Sequence, residues 1–223
     1  MKRSEINKHI AWAKNLLEAN NIRLPDLAYM GPEAVKSAGA ALRTVKSVML
    51  GWDITDFGTG NFDQTGAVLY TVRNGSLENP KVGVPYCEKY ILMKAGQYLP
   101  KHYHVLKTED IIVRVGGVLK VNLWNTDENG ACLDTDVHVY MDGFERVFKA
   151  GQDILVTKGN SISLTPGLAH VFGPLDGTTE IILGEVSKVN DDRTDNYFLE
   201  PTARFSKIEE DEPPIHLLCS EYR

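Results

Sequence analysis

The sequence predicts a mainly β chain, closed as a barrel or sandwich, with helices confined to its N-terminal end. Three observations carry that prediction. From residue 67 to 186, short apolar runs alternate with turn signals such as Asn74-Gly75, Gly116-Gly117 and Asp142-Gly143, the rhythm of an all-β domain rather than a doubly wound sheet. Before residue 51, apolar residues recur instead at helical spacing. Of the 223 residues, 43% are hydrophobic, enough for a substantial core and against disorder. No internal repeat or Gly/Ser linker divides the chain. The expected organisation is one domain: a helical extension over 1–50, a β core over 51–186 and a C-terminal segment and tail over 187–223.

Residues 4–20 read as an amphipathic helix. Ser4 suits the N-cap and Glu5 the first turn, while Ile6, Ile10, Ala13 and Leu17 form the stripe, widened by Trp12 and Leu16. Asn20-Asn21 ends it. Pro32 suits the first turn of a second helix running to Leu50, with Gly39 as a weak point inside it. Both helices are expected to pack outside a sheet or on a partner subunit. Residues 53–66, rich in Gly, Asp and Thr, read as a loop. Strands are expected over 67–73, 86–94, 111–124 (interrupted at Gly116-Gly117), 137–141, 146–149, 153–156, 161–164, 170–172 and 180–186. The acidic run Glu209-Glu210-Asp211-Glu212-Pro213-Pro214 marks a surface tail.

The net charge of −6 argues against nucleic acid or an anionic membrane as partner. Cys87, Cys132 and Cys219 are far apart and odd in number, so neither a disulfide framework nor a zinc knuckle is indicated. The first residues lack an apolar signal core, and no long apolar run occurs anywhere. The expectation is a cytoplasmic protein without a membrane partner.

Chemistry concentrates between Gly96 and Gly116. His102 and His104 are two apart and face the same way on a strand; Glu109 follows before Ile111, Ile112 and Val113. Two imidazoles and a carboxylate on one side suit a borderline divalent ion. His170, after Pro166-Gly167, is the candidate fourth ligand. The spacing of Gly96, His102, His104, Glu109 and Gly116 resembles the first cupin motif in full. Gly159, Pro166, Gly167 and His170 resemble the second, with one extra residue before Pro166, Pro and Gly adjacent, and Pro174 where Asn is usual. The resemblance implies a cupin barrel, a jelly roll, with an open metal site. Such a ligand set suits Mn²⁺, Fe²⁺, Ni²⁺, Co²⁺ or Zn²⁺, and leaves positions for water or substrate.

A wider resemblance runs over nearly the whole chain. Lys2-Arg3-Ser4-Glu5-Ile6-Asn7, Trp12-Ala13, Leu24-Pro25, Lys89 to Lys94, Gly96-Gln97, Pro100, Lys107, Glu109-Asp110-Ile111, Tyr197-Phe198-Leu199-Glu200 and Arg204-Phe205 together resemble the D-lyxose isomerase family of cupin sugar isomerases. That resemblance implies a manganese-preferring, cytoplasmic homodimer that interconverts D-lyxose with D-xylulose and D-mannose with D-fructose. Moving hydrogen between C1 and C2 of a sugar requires a tuned acid–base group and a cation for the developing oxyanion. Glu200 is the candidate proton shuttle, Lys94 and Lys107 the candidates for oxygen polarisation, and Arg204 the candidate for binding sugar hydroxyls. Tyr103, Trp124, Phe172 and Tyr197 could line a sugar pocket. His9 and His216 read as solvated, and His138 as structural. Other readings of the ligand set stay open: an iron-dependent oxygenase, told apart by its need for O₂; a phosphosugar isomerase, which needs a basic cradle for phosphate; and a non-catalytic sugar-binding or storage cupin, against which the retained ligands argue.

Overall fold

A computed structural model describes residues 1–222. Helix α1 (Arg3–Ala19) buries the expected stripe of Ile6, Ile10, Ala13 and Leu17. Fully burying each of the larger side chains contributes about 1.5–3 kcal/mol, against about 0.5 kcal/mol for a surface pair on a helix. Packing therefore fixes this helix. Its start differs from expectation. Ser4 lies inside the helix, and its backbone N–H and hydroxyl donate to the Asp211 carboxylate at 2.9 and 2.6 Å. The capping oxygen comes from the far end of the chain. The expected helix over 32–50 is broken into α2 (Pro32–Ala38), a 3₁₀ turn (Gly39–Leu42) and α3 (Arg43–Ser47). The break falls at Gly39, whose φ of +49° is strained for any residue with a Cβ.

Thirteen strands follow: β1 (Gly51–Thr55), β2 (Ala67–Gly75), β3 (Gly83–Met93), β4 (Leu99–Tyr103), β5 (Glu109–Gly116), β6 (Leu119–Asn125), β7 (Val137–Met141), β8 (Phe144–Phe148), β9 (Ile154–Val156), β10 (Ser161–Leu164), β11 (Leu168–Pro174), β12 (Ile181–Lys188) and β13 (Tyr197–Phe198). They form an eight-stranded sheet, β1-β2-β3-β12-β5-β10-β7-β8, and a five-stranded sheet, β13-β4-β11-β6-β9, with antiparallel pairing throughout. This is the mainly β, cupin-like jelly roll that the motif spacing predicts. Strand β1 is a departure, because its last residues, 53–55, lie in the stretch read as loop. Trp52 and Ile54 have no room to show alternation in so short a run, yet all five residues are buried.

The larger sheet is apolar on both faces, and period-two alternation sorts its side chains into two cores. Ile91, Met93, Ile111, Val113, Ile181 and Leu183 fill the barrel with Leu119, Val121 and Leu123 of the smaller sheet. Leu92, Val68, Tyr70 and Ile182 face outward and pack under α1 with Trp52 and Ile54.

Residues 187–222 are not a loose surface tail. Strand β13 adds to β4, Glu209 pairs with Lys2, and the Cys219 amide donates to the Trp52 carbonyl at 2.7 Å beside buried Leu218. The acidic run is spent on α1: Glu210 and Glu221 clamp the Arg3 guanidinium, and Asn7 donates to Glu212 at 2.6 Å. Two histidines expected in solvent are also buried. His9 stacks on Phe62 at 4.1 Å, and His216 lies 2.9 Å from the Met30 carbonyl through Nδ1. His138 is exposed on β7 and lies 3.1 Å from Glu145 of β8, away from the barrel interior.

Candidate metal centre in the barrel mouth

Antiparallel pairing of β4 with β11 sets His102 opposite His170. His104 lies just beyond β4, and Glu109 opens β5. All four side chains are buried. Each imidazole gives its Nδ1 to a backbone carbonyl: His102 to Pro100 at 2.8 Å, His104 to Asp195 at 2.6 Å, and His170 to Leu168 at 2.9 Å. A carbonyl only accepts, so each Nδ1 carries the proton and each Nε2 presents a lone pair. The three lone pairs converge. Nε2 of His170 is 3.1 Å from Nε2 of His102, and Glu109 Oε1 is 3.5 Å from Nε2 of both His104 and His170. Nε2 of His104 is buried without a hydrogen-bond partner.

Four converging lone pairs repel one another unless a cation lies between them. Ligands about 2.1 Å from a common ion and at right angles to each other would be roughly 3 Å apart, close to the separations seen. The histidine triad can thus hold a metal ion, and the donor chemistry fits a divalent one.

Electrostatics around the triad favour that state. Burial, then the neighbouring imidazoles, pushes His102 well below its usual pKa, and burial lowers His170 to about 4. Both are neutral and free to ligate at neutral pH. Burial alone would raise the Glu109 carboxyl, but the Lys107 ammonium and the imidazoles outweigh it and hold Glu109 well below the carboxylate range. Burial likewise opposes the charge on Lys107, and Glu109 and Glu185 overcome it, so its pKa is raised.

From Glu109 a chain of alternating charges crosses the mouth. Lys107 Nζ is 2.8 Å from Glu109 Oε2, 3.2 Å from Glu185 Oε1 and 2.9 Å from Asn190 Oδ1. Lys89 lies 3.4 Å from Glu185 and 3.9 Å from Asp192. Arg204 Nη2 closes the chain, 2.7 Å from both Asp192 and Asp53, while its Nη1 is buried without a partner. These groups border a cavity of about 40 Å³ floored by His102, His104 and Glu109 and walled by Phe172, Phe198 and Asn196. One water requires about 10–15 Å³, so the space left between these side chains holds a few waters, and its mouth is partly open to solvent.

The structure brings His102, His104, Glu109, His170, Lys107 and Arg204 together. It does not bring Lys94 or Glu200. Lys94 shares the parity of Tyr90 and Leu92, and that face is the outer one under α1. Its ammonium binds Asp63 at 3.1 Å and lies over the Trp12 and Phe62 rings. Glu200 is exposed and borders a surface depression with Tyr103 and Tyr197, whose rings stack on one another. Trp124 supports the Lys101 ammonium at 3.5 Å rather than the cavity. Lys89, Glu185 and Asp192 were not anticipated. Alternation could have found two of them: Lys89 shares the inward parity of Ile91 and Met93, and Glu185 that of Ile181 and Leu183.

The family profile for D-lyxose isomerase matches residues 1–222. The chain is 41% identical to a D-lyxose/D-mannose isomerase of Escherichia coli O157:H7, covering 100% of this chain and 99% of that protein. It is 39% identical to one of Serratia proteamaculans, covering 100% and 98%. Among solved structures, the L-ribose isomerase of Acinetobacter sp. DL28 in complex with L-ribose superposes with a TM-score of 0.63 at 15% identity, over 94% of this chain and 98% of that one, a likeness of fold. The chain belongs to the D-lyxose isomerase family and is a D-lyxose ketol-isomerase.

Proposed function

We propose that the chain is a metal-dependent aldose–ketose isomerase of free sugars, converting D-lyxose to D-xylulose and D-mannose to D-fructose. In this reading His102, His104, Glu109 and His170 hold a divalent ion, Mn²⁺ by the family resemblance. The observation that carries it is the convergence of three Nε2 lone pairs and Glu109 Oε1 beside the buried Lys107–Glu185 pair. A bound ion would supply Lewis-acid polarisation of sugar oxygens.

Isomerisation moves one hydrogen from C2 to C1 and one hydroxyl proton from O2 to O1. Glu185 is the group we assign to the carbon-bound proton: it takes the proton from C2 as a base and returns it to C1 as an acid. Lys107 Nζ, between Glu109 and Glu185, donates to the oxygen on which charge develops. Ser187, which donates to Glu185 at 3.1 Å, and Lys89 orient that carboxylate. The unpartnered Nη1 of Arg204 donates to a distal hydroxyl. Each cation in the cavity is already matched by carboxylates, which leaves a phosphate no free counter-charge. That favours free sugars over phosphosugars.

The test is incubation of Mn²⁺-loaded protein with D-lyxose, D-mannose and their phosphate esters under nitrogen. Ketose from the free sugars is expected. A requirement for O₂, or turnover of the esters alone, would reject the reading. Glu185→Gln is expected to keep the ion and lose about 10²–10⁴-fold in kcat, while Glu200→Gln retains most activity.

A further inference from the structure

The segment from Asn190 to Arg204 supplies Asp192, Asn196, Phe198 and Arg204 to the cavity wall. Strand β13 pairs it with β4, and Asn190 accepts from Lys107 Nζ at 2.9 Å; the turn after β4 is otherwise held to it by one residue, Asp195. The Asp195 carboxylate accepts three successive backbone N–H groups: Val105 at 2.8 Å and Leu106 at 2.9 Å on Oδ1, and Lys107 at 2.9 Å on Oδ2. Its own carbonyl accepts His104 Nδ1 at 2.6 Å. Asp195 is 4% exposed, so these bonds form away from competing water and are the stronger for it. The residue ties together three things that the chemistry needs at once: the tautomer of one imidazole, the position of Lys107, and closure of the wall.

We propose that Asp195 is a positioning residue that couples ion binding to closure of the 190–204 segment over the cavity. The proposal rests on the reading of the four-ligand site above. Its logic is reciprocal. His104 is held with Nε2 inward only while the Asp195 carbonyl is in place, so closure raises ion affinity. An ion holding Nε2 inward must then stabilise closure by the same factor. A sugar gains room beside the candidate ligands when this fastening releases. Asp195 itself lies behind His104 and does not border the cavity; its effect on turnover passes through His104, Lys107 and the wall.

The experiment measures the wild-type protein and Asp195→Asn side by side. Asparagine keeps the shape and the backbone carbonyl but weakens the three-donor grip. Mn²⁺ affinity, by titration of metal-free protein, is expected to fall about tenfold, the lower end of what losing an outer partner of a metal ligand costs. Amide hydrogen exchange is read on both proteins, and its wild-type arm does not depend on the variant folding well. In the wild type, Mn²⁺ is expected to slow exchange at residues 105–107 and at 190–198 together; in the variant, the second segment stays fast. If the wild type binds Mn²⁺ but neither segment changes, or Asp195→Asn binds it equally well, the coupling is wrong while the metal site stands. If the wild type binds no divalent ion, the site reading fails and the coupling with it.

Discussion

Two buried charge clusters stand at opposite sides of the larger sheet, and they differ in what they leave unsatisfied. On the outer side, Arg3 is fully buried between Glu210 and Glu221. Nε and Nη2 reach Glu210 at 2.9 and 2.7 Å, and Nη1 reaches Glu221 at 3.1 Å. No atom of that guanidinium lacks a partner. In the mouth, Lys107 is similarly held between Glu109 and Glu185, but the surrounding cluster keeps two buried atoms unpartnered, His104 Nε2 and Arg204 Nη1, and encloses a cavity. Burying an unpaired polar atom costs about 1–3 kcal/mol. A fold that completes one cluster and leaves the other short by two bonds has a reason in the second, a guest that supplies them. Buried charge alone does not mark a functional site; buried charge with open valences beside a cavity does.

The largest effect that would break this contrast is at the mouth. His170→Ala is expected to lose the ion and at least about 10³-fold in turnover together, read by metal analysis and ketose formation. Full metal content in that variant would remove His170 from the ligand set.

The next effect separates the clusters by stability. Arg3→Ala leaves two carboxylates facing each other without a counter-charge. Breaking a buried pair costs about 3–5 kcal/mol. Glu210 is 57% exposed and can rehydrate, so about 2–3 kcal/mol is expected here. That is a fall in Tm of roughly 5–10 °C, with kcat of the folded fraction unchanged. A kcat that fell with Tm would mean that the outer cluster serves the mouth after all.

A smaller effect is a difference in pH response. Burial lowers His170 in the mouth to about 4 and His9 under α1 to about 4. In the unfolded chain both titrate near 6.5. Each folded-state value is depressed, so each contribution to stability is complete above about pH 6.5 and is lost as pH falls toward 4; for fully buried His170 it is on the order of 3 kcal/mol. Urea midpoints of metal-free protein should therefore fall from pH 7 to pH 4.5. Saturating Mn²⁺ should hold the His170 share to lower pH and leave the His9 share, which His9→Gln removes. A pH response untouched by both would contradict the assignment.

Much of this was legible in the sequence. The alternation of short runs and turns marks the strands, because local turn residues such as Asn74-Gly75 and Asp142-Gly143 bound them; their pairing is less legible, since only β1–β2, β2–β3 and β7–β8 join sequence neighbours. The candidate ligand spacing is legible because His102, His104 and Glu109 lie in one short stretch of chain that passes from β4 of one sheet to β5 of the other, while His170 is set opposite His102 by strand pairing. What failed was anything decided by distant contact. The residues after 187 looked solvated because Glu210, Asp211 and Glu212 are acidic, and nothing local shows that Arg3, Ser4 and Asn7 wait for them. Lys94, just beyond β3, shares the parity of Tyr90 and Leu92, but this sheet is buried on both faces, and parity alone does not say which face is the barrel. Glu185 sits in an apolar strand, where a buried carboxylate is the informative exception.

The most direct measurement is activity against ion occupancy. Chelated protein titrated with Mn²⁺ should gain ketose-forming activity in proportion to ion bound, saturating at one ion per chain. Activity that stays high in metal-free protein, or rises without ion binding at this centre, would contradict the account.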